Sequence, residues 1–223
     1  EAIDTYKRLQ TFFPEKLELS LKLAESYWQL QKFVESRDVY ETILLFDDEN
    51  YNVMFSLGEI YNALGDYSKA ESIYNEVANC TIPTTELYYQ LALTFGNQGK
   101  YMSAVLAFHE ALKLSPNDLE IKYQLGVAYK ELGIYDKAAN YFEEYITKHS
   151  DDAIAFLLLG TCYLQINDYP AALLAFQNSN NLMPNDHNIL YNIGLCYSDL
   201  AEEEDAARKF REALKINPED PGI

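Results

Sequence analysis

The side chains that could carry out acid–base, nucleophilic or metal chemistry are scattered along the chain. His109, His149 and His187 are far apart in the sequence, and none joins cysteines and carboxylates at the spacing typical of a metal or catalytic site. No glycine-rich phosphate-binding loop follows a strand pattern. We therefore expect no catalytic residue, no metal site, no cofactor and no enzymatic activity.

One acidic run, Glu202 to Asp205, could bind a cation. The residues that follow it have helical apolar spacing, and acidic side chains at the start of a helix interact favourably with the positive end of its dipole. We interpret the run as the start of a helix.

A small residue recurs every 34 positions without insertion, at Ala24, Gly58, Ala92, Gly126, Gly160 and Gly194. Leucine or isoleucine precedes each of them, and an aromatic residue follows three positions later. A fixed period of this size indicates stacked supersecondary units, none of which can bury its apolar face alone.

Each period predicts two helices. We number the positions of a repeat from its first residue, at Leu17, Tyr51, Thr85, Leu119, Ala153 and His187. Positions 4, 7, 8 and 11 predict the apolar face of a first helix, and positions 20, 24 and 27 that of a second. Turn and stop signals follow the two helices, at Gly65, Gly99, Gly133, Pro116, Pro184 and Pro218.

The pattern resembles the tetratricopeptide repeat family. The segment ILYNIGLCYSDL (189–200), followed by AARKFREALKINP (206–218), is similar to one whole unit. Gln31 departs from the pattern at the turn glycine, and Glu203 departs at the aromatic start of the second helix. The resemblance implies an all-α, right-handed superhelical solenoid of antiparallel helix pairs.

The period sets the expected boundaries. The six repeats are 17–50, 51–84, 85–118, 119–152, 153–186 and 187–220. Residues 1–16 match the second helix of a truncated preceding repeat, and residues 221–223 form a tail. We expect a longer parent protein.

The cysteines favour a reducing compartment. Cys162 and Cys196 both occupy position 10, which we expect to be buried on first helices whose axes lie about 8 to 10 Å apart. That separation makes a disulfide awkward. We expect a cytoplasmic protein.

The net charge of −18 narrows the choice of partners. Helical repeats that read RNA need a basic track to neutralise phosphates, whereas every full repeat here is net negative. We expect no nucleic-acid partner. The acidity serves either solubility or the steering of a basic partner. No run reaches the roughly 20 apolar residues that span a bilayer, so no direct membrane insertion is expected.

In the family, positions 2, 5, 6, 9, 12 and 13 of successive first helices line a concave groove. The resemblance therefore implies a stripe of aromatic and amide side chains with an acidic edge. The candidate partner-binding residues are Phe55, Glu59, Glu86, Tyr89, Gln90, Glu120, Tyr123, Gln124, Leu157, Leu158, Tyr191 and Asn192. Tyrosine at position 5 and asparagine at position 6 are also family consensus, so part of the stripe can be scaffold.

Repeat five is unusually apolar at these positions. Leu157 and Leu158 could contact a partner's side chains, form a self-association face, or pack between neighbouring repeats. The sequence does not choose among these alternatives.

We expect a non-enzymatic protein–protein interaction scaffold that binds a basic or amphipathic peptide or helix in its groove. Two alternatives stay open: the regulatory or substrate-docking arm of a larger multidomain enzyme, and a structural subunit of an oligomeric assembly. Self-association through exposed terminal repeats is expected if the chain is a piece of a longer array.

Overall fold

The computed structural model describes residues 2–12 and 16–218. Within these ranges the protein contains thirteen α-helices and no strand, as the repeat pattern predicts. The expected tail, 221–223, lies outside the described residues. None of the helices in the described ranges combines the length and apolar character required to cross a bilayer.

The chain divides into two compact units, Glu1–Pro116 and Asn117–Ile223. Unit 1 contains α1 (Ala2–Phe12), α2 (Leu17–Gln29), α3 (Phe33–Leu44), α4 (Tyr51–Ala63), α5 (Tyr67–Cys80), α6 (Thr85–Asn97) and α7 (Tyr101–Leu114). Unit 2 contains α8 (Leu119–Glu131), α9 (Tyr135–Ile146), α10 (Ala153–Gln165), α11 (Tyr169–Leu182), α12 (His187–Asp199) and α13 (Glu203–Ile216). Within each unit, helices that follow one another in the chain pack together.

The first helix of each repeat begins directly after a polar residue at position 34 of the preceding one. In five repeats this residue accepts a hydrogen bond from a backbone N–H of the first turn; the five are Asn50, Thr84, Asp118, Asp152 and Asp186. Such a cap contributes about 1 kcal/mol. Short polar side chains at this position therefore stabilise the start of repeats two to six, whereas the first repeat follows Lys16, whose side chain makes no cap.

The turn between the two helices has one backbone conformation in all six repeats. Position 15 has positive φ at Gln31, Gly65, Gly99, Gly133, Asn167 and Ala201. The sequence indicated this turn only at the three glycines. Non-glycine residues pay a steric cost in this region, so closure of the helix pair imposes the conformation whatever residue is present.

The two helices of a repeat cross closely at position 8. A Cβ atom added at Gly58, Gly126, Gly160 or Gly194 would lie 2.5, 2.9, 2.7 or 2.6 Å from the position-24 ring of its own repeat, which is Tyr74, Phe142, Phe176 or Phe210. Real Cβ atoms do not approach carbon this closely. The small residue at position 8 is therefore required by the aromatic ring at position 24.

The first helices are also buried at position 3, which the sequence pattern did not select. This position is buried in repeats two to six, as at Val53 and Ile121. Position 10 is buried in the same repeats, as at Ile60 and Thr94, which agrees with the burial expected for Cys162 and Cys196. Position 4, by contrast, is only half-buried in repeats three to five. Each first helix lies between its own second helix and neighbouring helices, so two faces lose solvent.

Hydrogen bonds also join neighbouring repeats within each unit. The position-11 hydroxyls of Tyr61 and Tyr163 donate to the position-25 carboxylates of Glu41 and Glu143 in the preceding repeat. Burial, followed by the Glu41 hydrogen bond, raises the pKa of Tyr61 to about 12. The hydroxyls therefore stay protonated and act as donors at neutral pH.

Candidate functional site

In unit 1, the predicted groove residues lie on α4 and α6. Phe55 and Glu59 of α4 are half-buried, as are Tyr89 and Gln90 of α6, while Glu86 is exposed at the start of α6. The Gln90 amide donates to the Glu86 carboxylate at 2.8 Å. This hydrogen bond, one helical turn apart, orients Glu86.

A cavity of about 340 Å³ lies where the N-terminal halves of α4 and α6 meet the end of α5 and the connection from α5 to α6. It is lined by Tyr51, Asn52, Phe55, Val77, Thr81, Ile82, Thr84, Glu86 and Leu87. Two predicted groove residues, Phe55 and Glu86, belong to this lining. Apolar side chains together with a few polar groups are typical of a site that holds a ligand side chain.

Glu59 is unusual among the charged residues of this surface in its lack of a partner among the described residues and in its raised pKa. Its side chain makes no hydrogen bond or ion pair within the described residues. Burial raises the pKa of its carboxyl, and the negative charge of Glu86 raises it further. The two carboxylates are therefore close enough to repel each other.

Tyr74, on α5, is close enough to this carboxylate pair to be affected by its charge. Its side chain is fully buried, and its ring centroid lies 5.6 Å from that of Phe55. Its hydroxyl has no hydrogen bond of acceptable geometry within the described residues. Burial raises the pKa of Tyr74, Glu59 and Glu86 raise it further, and an interaction with the nearby Asn62 side chain lowers it. A protonated hydroxyl therefore lies within electrostatic reach of both carboxylates.

A polar contact joins α4 to α6 beside Glu59. The Asn62 amide donates to the Thr94 hydroxyl at 2.8 Å, and Thr94, which is fully buried, donates to the Gln90 carbonyl at 2.7 Å. Sequence reasoning missed Asn62, Tyr74 and Thr94. The sequence did contain a signal for this contact, because polar residues stand at position 12 of repeat two (Asn62) and position 10 of repeat three (Thr94).

The aromatic residues at position 5 have a structural role that the sequence did not reveal. Each packs against the position-24 ring of its own repeat, in the pairs Phe55–Tyr74, Tyr89–Phe108, Tyr123–Phe142 and Tyr191–Phe210, with ring centroids 5.6 to 5.8 Å apart. These tilted and edge-on geometries are favourable. Truncating a position-5 ring would therefore change stability as well as any binding.

In unit 2, the candidate residues of α8 form a similar arrangement. Gln124 donates to Glu120 at 3.0 Å, as Gln90 does to Glu86 in unit 1. The ring of Tyr123 lies 4.7 Å from that of Tyr145, which in turn lies 4.1 Å from the ring of His149. His149 therefore belongs to an aromatic stack.

The remaining candidates lie on α10 and α12. Leu157 and Leu158 are half-buried, as are Tyr191 and Asn192. Leu157 packs against a buried cluster that includes Phe176 and Cys196. Packing within the unit therefore accounts for part of the apolar character of repeat five.

The other residues that could do chemistry have ordinary structural settings. Cys162 and Cys196 are free and buried, and burial raises the pKa of each thiol to about 12, which disfavours the reactive thiolate. Glu203 and the acidic residues after it form the first turn of α13, as expected. Throughout residues 2–12 and 16–218, no histidine, cysteine and carboxylate side chains group in a way that could hold a metal ion.

Comparisons with known proteins agree with the helix pairs and their period. Tetratricopeptide repeat models match residues 21–81, 89–145 and 123–179, and a second model of the same repeat matches 187–220. A comparison with curated proteins found no significant match. The chain belongs to the tetratricopeptide repeat family.

Solved structures with the same fold share little sequence with this chain. MamA (41-end) from Desulfovibrio magneticus RS-1 is 22% identical with a TM-score of 0.72, over 78% of this chain and 98% of that one. The C-terminal part of a TPR repeat-containing protein from Cytophaga hutchinsonii is 16% identical with a TM-score of 0.77, over 91% and 80%. A chain of the APC/C hetero-tetramer Cut9–Hcn1 is 22% identical with a TM-score of 0.67, over 99% and 43%. The chain has an all-α repeat fold of the solenoid type and belongs to the tetratricopeptide repeat family. It is therefore a protein-interaction scaffold.

Proposed function

We propose that the chain binds a peptide or helical segment of a partner protein on the first-helix face of unit 1, and that it acts by binding without catalysis of its own. The observation that carries this proposal is the cavity of about 340 Å³ between α4 and α6. Its lining includes Phe55 and Glu86, two residues that the family resemblance predicts to lie in the groove.

The lining supports a polypeptide ligand. The half-buried Tyr51 and Phe55 and the exposed Ile82 offer an apolar surface for an anchoring side chain, while Asn52 and Thr84 add polar atoms at the edge. Interface energy concentrates in a few such anchors, at roughly 2 kcal/mol or more each. The net charge of −18 favours a partner with basic residues by accelerating encounter.

We include a reducing compartment, such as the cytoplasm, in this proposal. Support comes from Cys162 and Cys196, which are free and buried. Buried free thiols are typical of proteins that work under reducing conditions.

The test is a selection of binding peptides from a random displayed library, followed by affinity measurement with fluorescently labelled synthetic peptides. Asn52 is exposed at the cavity, so Asn52→Trp should obstruct the site while leaving the core intact. We expect selected peptides to bind this variant at least about ten-fold more weakly, a loss of roughly 1.4 kcal/mol.

Asn75→Trp is the matched control, because Asn75 is equally exposed but lies on α5 and outside the cavity lining. It should bind the peptides as the unmodified chain does. If Asn75→Trp abolishes binding and Asn52→Trp does not, the ligand occupies another face and the proposal is wrong.

A further inference from the structure

We propose that Glu59 and Glu86 together receive the cationic side chain of a lysine or arginine from the bound partner segment. This inference rests on the proposed function, because it names the chemistry of a ligand for the same face of unit 1. The partner's cation would compensate a charge that no group among the described residues compensates.

Glu59 carries a charge that no group among the described residues compensates. It is half-buried and makes neither a hydrogen bond nor an ion pair within the described residues. Partial burial of a carboxylate without a compensating positive charge costs free energy. A ligand that brings a positive charge removes this cost, so binding energy is available at Glu59.

Lysines of unit 1 pair with other carboxylates. Their ion pairs include Lys22–Glu25 at 2.9 Å, Lys69–Asp66 at 3.2 Å and Lys100–Glu71 at 2.7 Å. None of these ammonium groups forms an ion pair with Glu59. A cation that compensates Glu59 can therefore come from a bound partner.

The buried Tyr74 hydroxyl does not compensate the charge of Glu59. Burial and the charges of Glu59 and Glu86 raise the pKa of Tyr74, while the nearby Asn62 side chain lowers it. The hydroxyl therefore stays neutral at pH 7, and it is sealed from solvent. A basic side chain of a bound partner would supply the positive charge that Tyr74 does not.

The cavity indicates what kind of ligand segment would fit beside the two carboxylates. Phe55 and Glu86 line it, and Phe55 also packs on Tyr74. The aliphatic stem of a lysine, or an apolar residue beside it, can occupy the cavity while the charged end reaches the carboxylates. We infer a ligand segment in which a basic residue and an apolar residue are neighbours.

The experiment uses the peptides selected on the intact chain and retained only if Asn52→Trp weakens them. We expect these peptides to be enriched in lysine or arginine. Glu59→Gln should weaken them at least about ten-fold, whereas Glu35→Gln should not. The latter variant makes the same change in net charge at an exposed position on α3, so it controls for long-range attraction.

A double-mutant cycle then tests direct contact. If the peptide's basic side chain meets Glu59, replacing it with glutamine should weaken binding to the unmodified chain but have little further effect on the Glu59→Gln variant. Additive losses, or selected peptides without basic enrichment, would overturn the inference and leave the proposed function intact. Failure to select any peptide sensitive to Asn52→Trp would overturn both.

Discussion

Gly58→Ala tests the idea that the ring at position 24 requires a small residue at position 8. The new Cβ atom would lie 2.5, 2.7 and 3.0 Å from the Cε1, Cζ and Cδ1 atoms of Tyr74. Favourable carbon contacts are about 3.5 to 4.0 Å, so the ring would have to move by roughly 1 Å. Tyr74 is fully buried, and overpacking of this kind costs about 1 to 3 kcal/mol.

The substitution also has a favourable effect that must be separated from the clash. Alanine is preferred to glycine within a helix by about 0.8 to 1.0 kcal/mol. We therefore expect a net loss of about 0 to 2 kcal/mol for Gly58→Ala. Ala24 and Ala92 occupy position 8 in repeats one and three and are fully buried. A methyl group is therefore accommodated where the surrounding packing is built for it.

Gly96→Ala is the matched control. Gly96 lies in α6 of the same unit, and a Cβ atom added there would have no atom within 4 Å. This variant should gain up to about 1 kcal/mol from helix propensity, and less if its position near the helix end matters. The difference between the two variants isolates the clash, at about 1 to 3 kcal/mol.

Urea unfolding followed by circular dichroism would measure both variants under one condition. Because repeat arrays can unfold in parts, the comparison should use transition midpoints with a check that the slopes agree. If Gly58→Ala is stabilised as much as Gly96→Ala, the close crossing is not limiting and the reasoning is wrong.

Two further predictions concern the turn and the unpaired carboxylate. Ala201 has a φ of 61°, so Ala201→Gly should raise the free energy of unfolding by up to about 1 kcal/mol. Gly133→Ala should lower it by a similar amount or more. Equal urea unfolding midpoints for both variants and the unmodified chain would contradict this. Folding raises the pKa of the Glu59 carboxyl above its value in the unfolded chain. Ionisation of Glu59 therefore lowers the free energy of unfolding as the pH rises from about 4.3 through the raised pKa. Glu59→Gln should therefore unfold at a higher temperature than the unmodified chain at neutral pH, with the difference shrinking towards acidic pH, and thermal unfolding over a pH series checks this.

The sequence was sufficient for features that depend on a fixed period along the chain. The first helices begin at position 1 and the second helices at position 17, as at α4 and α5. The small residues at positions 8 and 20 are buried, and α7, α11 and α13 each end two residues before a proline. These features follow from local spacing and repetition, because helical periodicity and stop signals act over a few residues.

For the candidate site, the sequence predicted which residues belong to it but not which side chains those residues contact. It placed Phe55, Glu59 and Glu86 in a groove, but the pairing of the position-5 and position-24 rings depends on how the two helices of a repeat cross. Likewise, the positive φ at Gln31 and Ala201 comes from closure of the helix pair, which overrides the local preference for glycine.

The isolation of Glu59 was decided by tertiary structure alone. Whether a carboxylate has a counter-ion depends on which side chains of other helices reach it. Packing of α4, α5 and α6 brings Glu86 and the buried Tyr74 hydroxyl near Glu59, while the neighbouring lysines pair elsewhere. Sequence spacing fixes the order of helices and their apolar faces, but the electrostatic environment of a half-buried charge is a sum over groups that only packing brings together.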